Sequence, residues 1–227
     1  MNAIGPFATP AWWLHGAHLA RVASVQDPEG LARVQVQVLS PDAEAEALLW
    51  ARVAAPFAGN NRGAFFIPDV DDEVLVVFAG GAARAPIVIG GLWNGAQAPP
   101  ETLPGDAVDR WTITGKAGTR IAIVEESSGQ EKVEIETPGG VKATLTDASG
   151  GSIRLEAAGN TVTMDTQGVT VEAAAKVKVS AAQVEVSAGM VKVNAGMSQF
   201  SGVVQCDTLI TNSVVSTSYT PGAGNIW

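Results

Sequence analysis

The 227-residue chain holds a single cysteine, Cys206, and only two histidines, His15 and His18. One thiol excludes an intrachain disulfide framework and a thiolate cluster. No apolar run reaches the ~18–20 residues of a membrane-spanning helix, and no basic segment precedes an apolar one at the N-terminus. Neither a transmembrane helix nor a cleaved export signal is therefore expected. Positive charge is also scarce: no lysine precedes Lys116, and the formal net charge is -9. Both halves are acidic, with 6 basic against 12 acidic residues in 1–110 and 8 against 11 in 111–227. A surface for nucleic acid or anionic lipid needs a basic footprint, which neither half supplies. Aromatic rings are absent between Thr112 and Gln199, although 10 of the 13 lie in residues 1–111. Prolines thin out in the same way, with 10 of 12 in the first 104 residues. Two architectures therefore meet near residues 96–110.

Residues 18–95 read as short strands separated by turns. Leu19–Val25 runs into Asp27-Pro28-Glu29-Gly30, a break punctuated by proline and glycine. Ala32–Val38 alternates apolar and polar residues, the period of a half-buried strand. Leu48–Ala54 is a third strand. Glu73–Phe78 is a fourth, so apolar that burial of both faces is expected, and Pro86–Ile89 is a fifth, closed by Gly90-Gly91. Five short strands in about 80 residues, without a convincing helix, predict a small closed barrel of the OB type, because closure removes exposed edges.

From Glu131 onward the chain repeats itself. Val-x-Val-x-Ala occurs at Val169/Val171/Ala173, Val177/Val179/Ala181, Val184/Val186/Ala188 and Val191/Val193/Ala195. Looser copies begin at Val133, Val141, Ile153 and Val162, giving a period of seven to eight residues. A coiled coil needs apolar residues three and four apart. Here they are two apart, with polar Thr170, Lys178, Glu185 and Lys192 between them. Alternation, β-branching and breaks at Gly159, Gly168, Gly189 and Gly196 predict strands of about five residues joined by tight corners.

One such ribbon is unstable alone. A face of two valines and a small alanine is too little for a core within one chain, and the strand edges stay unpaired. Three copies about a threefold axis remove both problems. Val169, Val171, Val177, Val179, Val184, Val186, Val191 and Val193 would then face a shared interior, and every edge would pair with a neighbour. An obligate homotrimer is expected.

Each candidate chemical site has a simpler reading. His15 and His18 have no third histidine or suitably placed cysteine to complete a metal site, so an ordinary ordered segment is expected there. Asp69, Asp71, Asp72 and Glu73 lack the glycine and distal glutamate of a calcium loop, and read as a solvated turn. Glu134, Glu136, Glu156, Glu172 and Glu185 lie on the outward parity of the ribbon. Such carboxylates can flank a glycosidic bond, but interleaved with Lys178 and Lys192 they read as a surface of cross-strand ion pairs. No Ser/His/Asp set, phosphate loop or nucleotide fingerprint occurs in the sequence. No enzymatic activity, metal or cofactor is expected. An OB-type nucleic-acid binder would need a basic groove. A trimeric tail spike that binds or cleaves surface polysaccharide, the alternative reading, would need exposed aromatics on the repeat face, where there are none.

The residues of the first half resemble a known family. Asp27-Pro28, with Leu31-Ala32-Arg33-Val34-Gln35-Val36, is similar to the opening of phage baseplate assembly protein V. The same opening occurs in the contractile-injection spikes of the valine-glycine-repeat protein G group. Trp50-Ala51-Arg52-Val53 resembles that family's third strand. Gly63, Phe65, Phe66, Pro68 and Asp72-Glu73-Val74 match its next segment, and Pro86–Trp93 its closing strand. Two positions depart: Ala32 stands where the family has glycine, and Val70-Asp71 replaces the glycine before Asp-Glu.

The resemblance implies an all-β fold, an N-terminal OB-fold barrel followed by an intertwined triple-stranded β-helix in a homotrimer. The expected divisions are an N-terminal docking arm (1–17), the OB fold (18–95), a linker and start of the β-helix (96–130), the β-helix (131–215) and a C-terminal apex segment (216–227). The implied function is structural, the central spike of a phage-tail-like baseplate. It would join the hub and tube to a PAAR-type tip and pierce the target envelope when the sheath contracts. Residues 96–130 are too few for the lysozyme domain that some such spikes carry, and the arm is too short for a fused hub. The hub is then expected as a separate protein, docked through Phe7, Trp12 and Trp13, although these rings packing on their own barrel is an equal reading. With no histidine after His18, an apex metal site is not expected; Tyr219, Ile226 and Trp227 would instead lie near the tip junction. Tube or cargo proteins are further partners, nucleic acid is not, and the target membrane is met only transiently. Assembly would occur in the bacterial cytoplasm, with the spike outside the cell or within the target envelope after firing.

Overall fold

The computed structural model describes residues 14–39 and 48–218. The first strands are β1 (Ala17–Ser24), β2 (Val34–Val38) and β3 (Leu48–Val53). The short pair β4 (Ala58–Gly59) and β5 (Arg62–Gly63) follows, then β6 (Glu73–Phe78) and β7 (Pro86–Leu92). A closed barrel forms in the order β1-β2-β3-β7-β6, antiparallel except where β3 runs parallel to β7. Its core is small and, apart from Phe78 of β6, aliphatic: Ala20 and Val22 of β1, Val34 and Val36 of β2, Ala51 of β3, Val74 and Val76 of β6, and Val88 of β7.

Expected burial of β6 on both faces is corrected by the structure. Val74, Val76 and Phe78 are buried, whereas Leu75 and Val77 are only half-buried. In a closed barrel one strand face points inward and the other outward, so an all-apolar strand still has a core side and an outer side.

Two turns show what the departures from glycine cost. Asp27 in the β1–β2 loop accepts the backbone N–H groups of Glu29 (3.1 Å), Leu31 (2.8 Å) and Arg33 (3.1 Å). The Arg33 guanidinium pairs with the same carboxylate at 2.7 Å and lies 5.7 Å from the Trp50 ring centroid. Within this loop Ala32 has φ +55°. In the second turn Asp72 N–H donates to the Asp69 carbonyl at 3.2 Å, which places Asp71, at φ +71°, at the third position of a type II turn. Both residues thus occupy left-handed backbone, where glycine carries no steric penalty.

A second sheet follows: β8 (Arg110–Thr114), β9 (Arg120–Val124), β10 (Lys132–Glu136), β11 (Lys142–Thr146), β12 (Ser152–Ala157), β13 (Asn160–Asp165) and β14 (Gly168–Glu172). They stack in sequence order as one antiparallel meander. β8 and β9 lie in the stretch expected to hold the linker and the start of the β-helix. The 94–109 segment is held to both neighbours. Asn94 donates to Glu73 at 2.9 Å and Gln97 to the Asp71 carbonyl at 3.2 Å, while Glu101 reaches β8 and β9. Lys116, in the β8–β9 turn, pairs with Asp69 of the barrel.

The chain divides into two compact units, Met1–Lys176 and Val177–Trp227. Among the described residues of the second unit no strand forms, although strands starting at Val177, Val184 and Val191 are expected. Five-residue strands with one apolar face have nothing to pair with inside a single chain. Among the described residues, helical structure is limited to two three-residue 3-10 turns, and no helix is long and apolar enough to cross a membrane.

Candidate functional site

Strand period and register turn the second sheet into two unlike faces. On one face, cross-strand pairing aligns Trp111, Ile123, Val133, Leu145, Ile153, Met164 and Val169 in a row. Beside it runs a second row, Ile113, Ile121, Ile135, Ala143, Leu155, Val162 and Val171. The apolar face spans all seven strands without a polar interruption. It is also open: Trp111 is 51% exposed and Ile113 56%.

The opposite face is polar and better covered. Glu101 crosses β8 and β9 from the linker, accepting from Arg110 (2.9 Å), Thr112 (2.9 Å) and Arg120 (2.8 Å). These charge-assisted bonds hold its carboxyl down to about 2, against an ordinary value of 4.5, with Arg110 the largest cause. Arg120 also reaches Glu134 at 3.1 Å, which Lys132 meets at 3.1 Å and Lys142 at 3.8 Å. Arg110 completes the cluster with Glu126. Beneath the strap Ala122 and Val124 are buried. In β8 and β10 Arg110, Thr112, Lys132 and Glu134 are half-buried, whereas the apolar Trp111, Ile113, Val133 and Ile135 stand in the open. A water-facing sheet has the reverse pattern, so the apolar rows are a contact surface.

The expected interior residues fall in two places. Val169 and Val171 end the two apolar rows on β14. Val177, Val179, Val184, Val186, Val191 and Val193 lie in the second unit, all exposed in the single chain. Phe7, Trp12, Trp13, Tyr219, Ile226 and Trp227 lie outside the described residues. Asp69 and Asp72 make turn contacts: Asp72 accepts the Asp69 N–H at 2.8 Å, and Asp69 accepts that of Val70 at 2.8 Å and pairs with Lys116. Among the described residues no cluster of three or more His, Cys, Asp or Glu is placed to hold a metal ion. Glu134, Glu136, Glu156 and Glu172 all lie on the polar face, spread over three strands with basic residues between them.

Several features escaped the sequence reading. The alternation Trp111-Thr112-Ile113-Thr114 signals β8, but it sits in a stretch rich in proline and glycine. Glu101 as a strap has no local signature, since its partners lie 9 to 19 residues along the chain, and Asp27, a loop anchor, reads in the sequence only as part of a break. Phe57, Phe65 and Phe66 stand exposed around the β4–β5 hairpin.

Comparison with known proteins gives two family matches. Residues 18–93 match the type VI secretion system/phage-baseplate injector OB domain, and residues 132–197 match the phage baseplate V C-terminal trimerisation domain. The chain carries two domains of the phage baseplate V family. Within its first part it is 34% identical over 92 residues to the type VI secretion system spike protein VgrG1c of Pseudomonas aeruginosa, covering 38% of this chain and 13% of that one. It is 40% identical over 92 residues to VgrG1b of the same organism, covering 38% and 12%. With VgrG3 of Vibrio cholerae the identity is 38% over 55 residues, 24% of this chain and 5% of the relative. The chain thus spans about an eighth of the length of the two Pseudomonas relatives. The matched trimerisation domain includes β10 to β14 and supports a homotrimer.

Proposed function

We propose that this chain is the central spike of a contractile injection machine, a phage tail or a related particle. The barrel would sit beneath the hub and tube, and the trimeric β-structure would point at the target envelope and be driven through it on sheath contraction. The role is mechanical: Glu101, Glu134 and Glu156 of the polar face are tied to arginine and lysine, and the relatives named above carry spike in their names. The observation that carries this reading is the union of an injector-type barrel with a sheet whose entire apolar face stands open for assembly. Val177 to Val193 would continue that assembly as an intertwined β-helix. A separate hub protein would meet Phe7, Trp12 and Trp13, and a PAAR-type tip would cap the end near Tyr219, Ile226 and Trp227. The spike would assemble in the bacterial cytoplasm and leave the cell with the particle.

The test is deletion of Gly222–Trp227, followed by co-purification with a PAAR-type tip protein and by sedimentation. Loss of tip binding with the trimer intact is expected. Unchanged tip binding would remove the tip assignment.

A further inference from the structure

The outer wall of the barrel has a polar part and an apolar part, set by strand register. Next to the linker the outward row is Gln37, Arg21 and Glu73, in which Arg21 donates to Gln37 at 3.1 Å and Glu73 accepts from Asn94. The following outward row is Leu39, Leu19 and Leu75: the Leu39 N–H donates to the Leu19 carbonyl at 2.8 Å, and Leu19 stands opposite Leu75. The row after that is Ala17, Val77 and Ile87, on β1, β6 and β7. Leu19 is 45% exposed and Leu39 47%, while Leu75, Val77 and Ile87 are half-buried. None of the five belongs to the barrel core.

The size of this wall decides what fits it. Two rows across three strand spacings cover ~200 Å². A stable contact with another protein, or with a second barrel, takes ~800 Å² from each partner. One or two aromatic rings, burying about 150–250 Å² each, match the smaller figure.

The chain brings such rings to the edge of the wall. Leu14 packs against the barrel core, and its N–H donates to the Gly81 carbonyl at 2.9 Å, in the turn between β6 and β7. The row of Ala17, Val77 and Ile87 is the one nearest that turn. Residues 1–13 join the barrel at this point, carry Phe7, Trp12 and Trp13, and contain no Asp, Glu, Lys or Arg. The far row, at Leu19, is five residues from Leu14 and so at most ~17 Å away, whereas thirteen residues reach up to ~43 Å. Tethering also places the rings beside the wall at an effective concentration on the order of mM.

We propose that residues 1–13 are seated on the outer wall of their own barrel, with their aromatic rings covering Leu19, Leu75, Val77 and Ile87. Wall and arm belong to one chain, so the inference stands apart from the spike reading. In a spike, the hub would meet an arm already ordered on its barrel, which lowers the entropy cost of docking.

The test uses the full chain with Cys206→Ser, because Cys206 is an exposed thiol. Leu75→Cys reports on the apolar wall and Gln35→Cys on the other side of the barrel, each added singly and labelled with a bulky maleimide. Replacing the rings (Phe7→Ser, Trp12→Ser and Trp13→Ser together) is expected to speed labelling of Leu75→Cys at least about tenfold, with Gln35→Cys unchanged. Equal rates at Leu75→Cys with and without the rings would overturn the proposal, the wall then being open or covered by another copy or another protein. A rise of the same size at both positions would report opening of the barrel and remove the wall as the seat of the rings. In a further variant, Ala11→Cys with Leu75→Cys, a short bismaleimide is expected to link the two within one chain, at monomer mass. Covalent dimers instead would assign the arm to a neighbouring copy and overturn the assignment to its own barrel. If Leu75→Cys does not fold, Leu19→Cys is read in its place by the same criteria.

Discussion

Ala32 and Asp71 hold backbone angles that glycine adopts freely. A left-handed alanine costs roughly 1–2 kcal/mol, partly offset by the chain entropy that glycine would lose. Ala32→Gly is therefore expected to stabilise the β1–β2 loop by about 1 kcal/mol, read as about fivefold slower hydrogen exchange at β2 amides. Asp71→Gly should gain less, because aspartate tolerates this region better. Glu101 makes a different kind of prediction. Its folded value lies below the unfolded one, so its contribution is full above about 4.5 and is lost as pH falls towards about 2. Exchange at β8 and β9 amides should accelerate through that window in the natural chain. In Glu101→Gln it should already be fast at neutral pH, with little further acceleration on acidification. Asp27, held well below the usual carboxylate range mainly by Arg33, has the same sign and keeps the barrel loop closed to still lower pH.

Among the elements, the barrel strands were the most legible. Alternation in Val34–Val38 marks one inward face directly, and Pro28 with Gly30 marks the preceding break. Leu75 and Val77 misled for a physical reason: hydropathy reports what a side chain tolerates, whereas barrel closure decides which side it faces. β8 and β9 were hidden because their first neighbours, Pro104, Gly105, Gly115 and Gly118, look like linker, and because Glu101 is bonded across 9 to 19 residues. The carboxylates of β10, β12 and β14 were placed on the outward side by parity alone, since a period of two admits no other face. Repeat elements beyond Val177 were legible as pattern but not as paired strands, because pairing there needs chains that the sequence of one copy does not contain. If these valines line a shared interior, Val186→Asp puts a charge into it at a cost of several kcal/mol. Sedimentation velocity should then reveal dissociation, whereas Ser187→Asp, of opposite parity, should remain trimeric.

For the whole molecule, two covered surfaces of unlike kind are combined. The barrel buries its own core, so it is the part of the chain with its apolar residues already inside. The sheet of β8 to β14 has its polar side crossed by the linker at β8 and β9 and its apolar side exposed in the single chain. Unfolding should therefore separate in two ways. On dilution, loss of the trimer and loss of hydrogen-exchange protection in β8 to β14 are expected together, while barrel amides stay protected. A sedimenting monomer that keeps protection across β8 to β14 would show that the sheet stands by itself, against the expectation from its exposed rows.

The meander has a mechanical directionality. Ladder hydrogen bonds in an antiparallel sheet lie across the strands, so from β8 to β14 they all point along the direction in which the strands stack. Thrust along that direction presses each ladder shut and distributes the load over all of them. Tension along it falls on one ladder at a time, and the strands peel off in sequence, beginning at an edge. A wall built in this way is a strut rather than a cable: it bears a push well and yields to a pull.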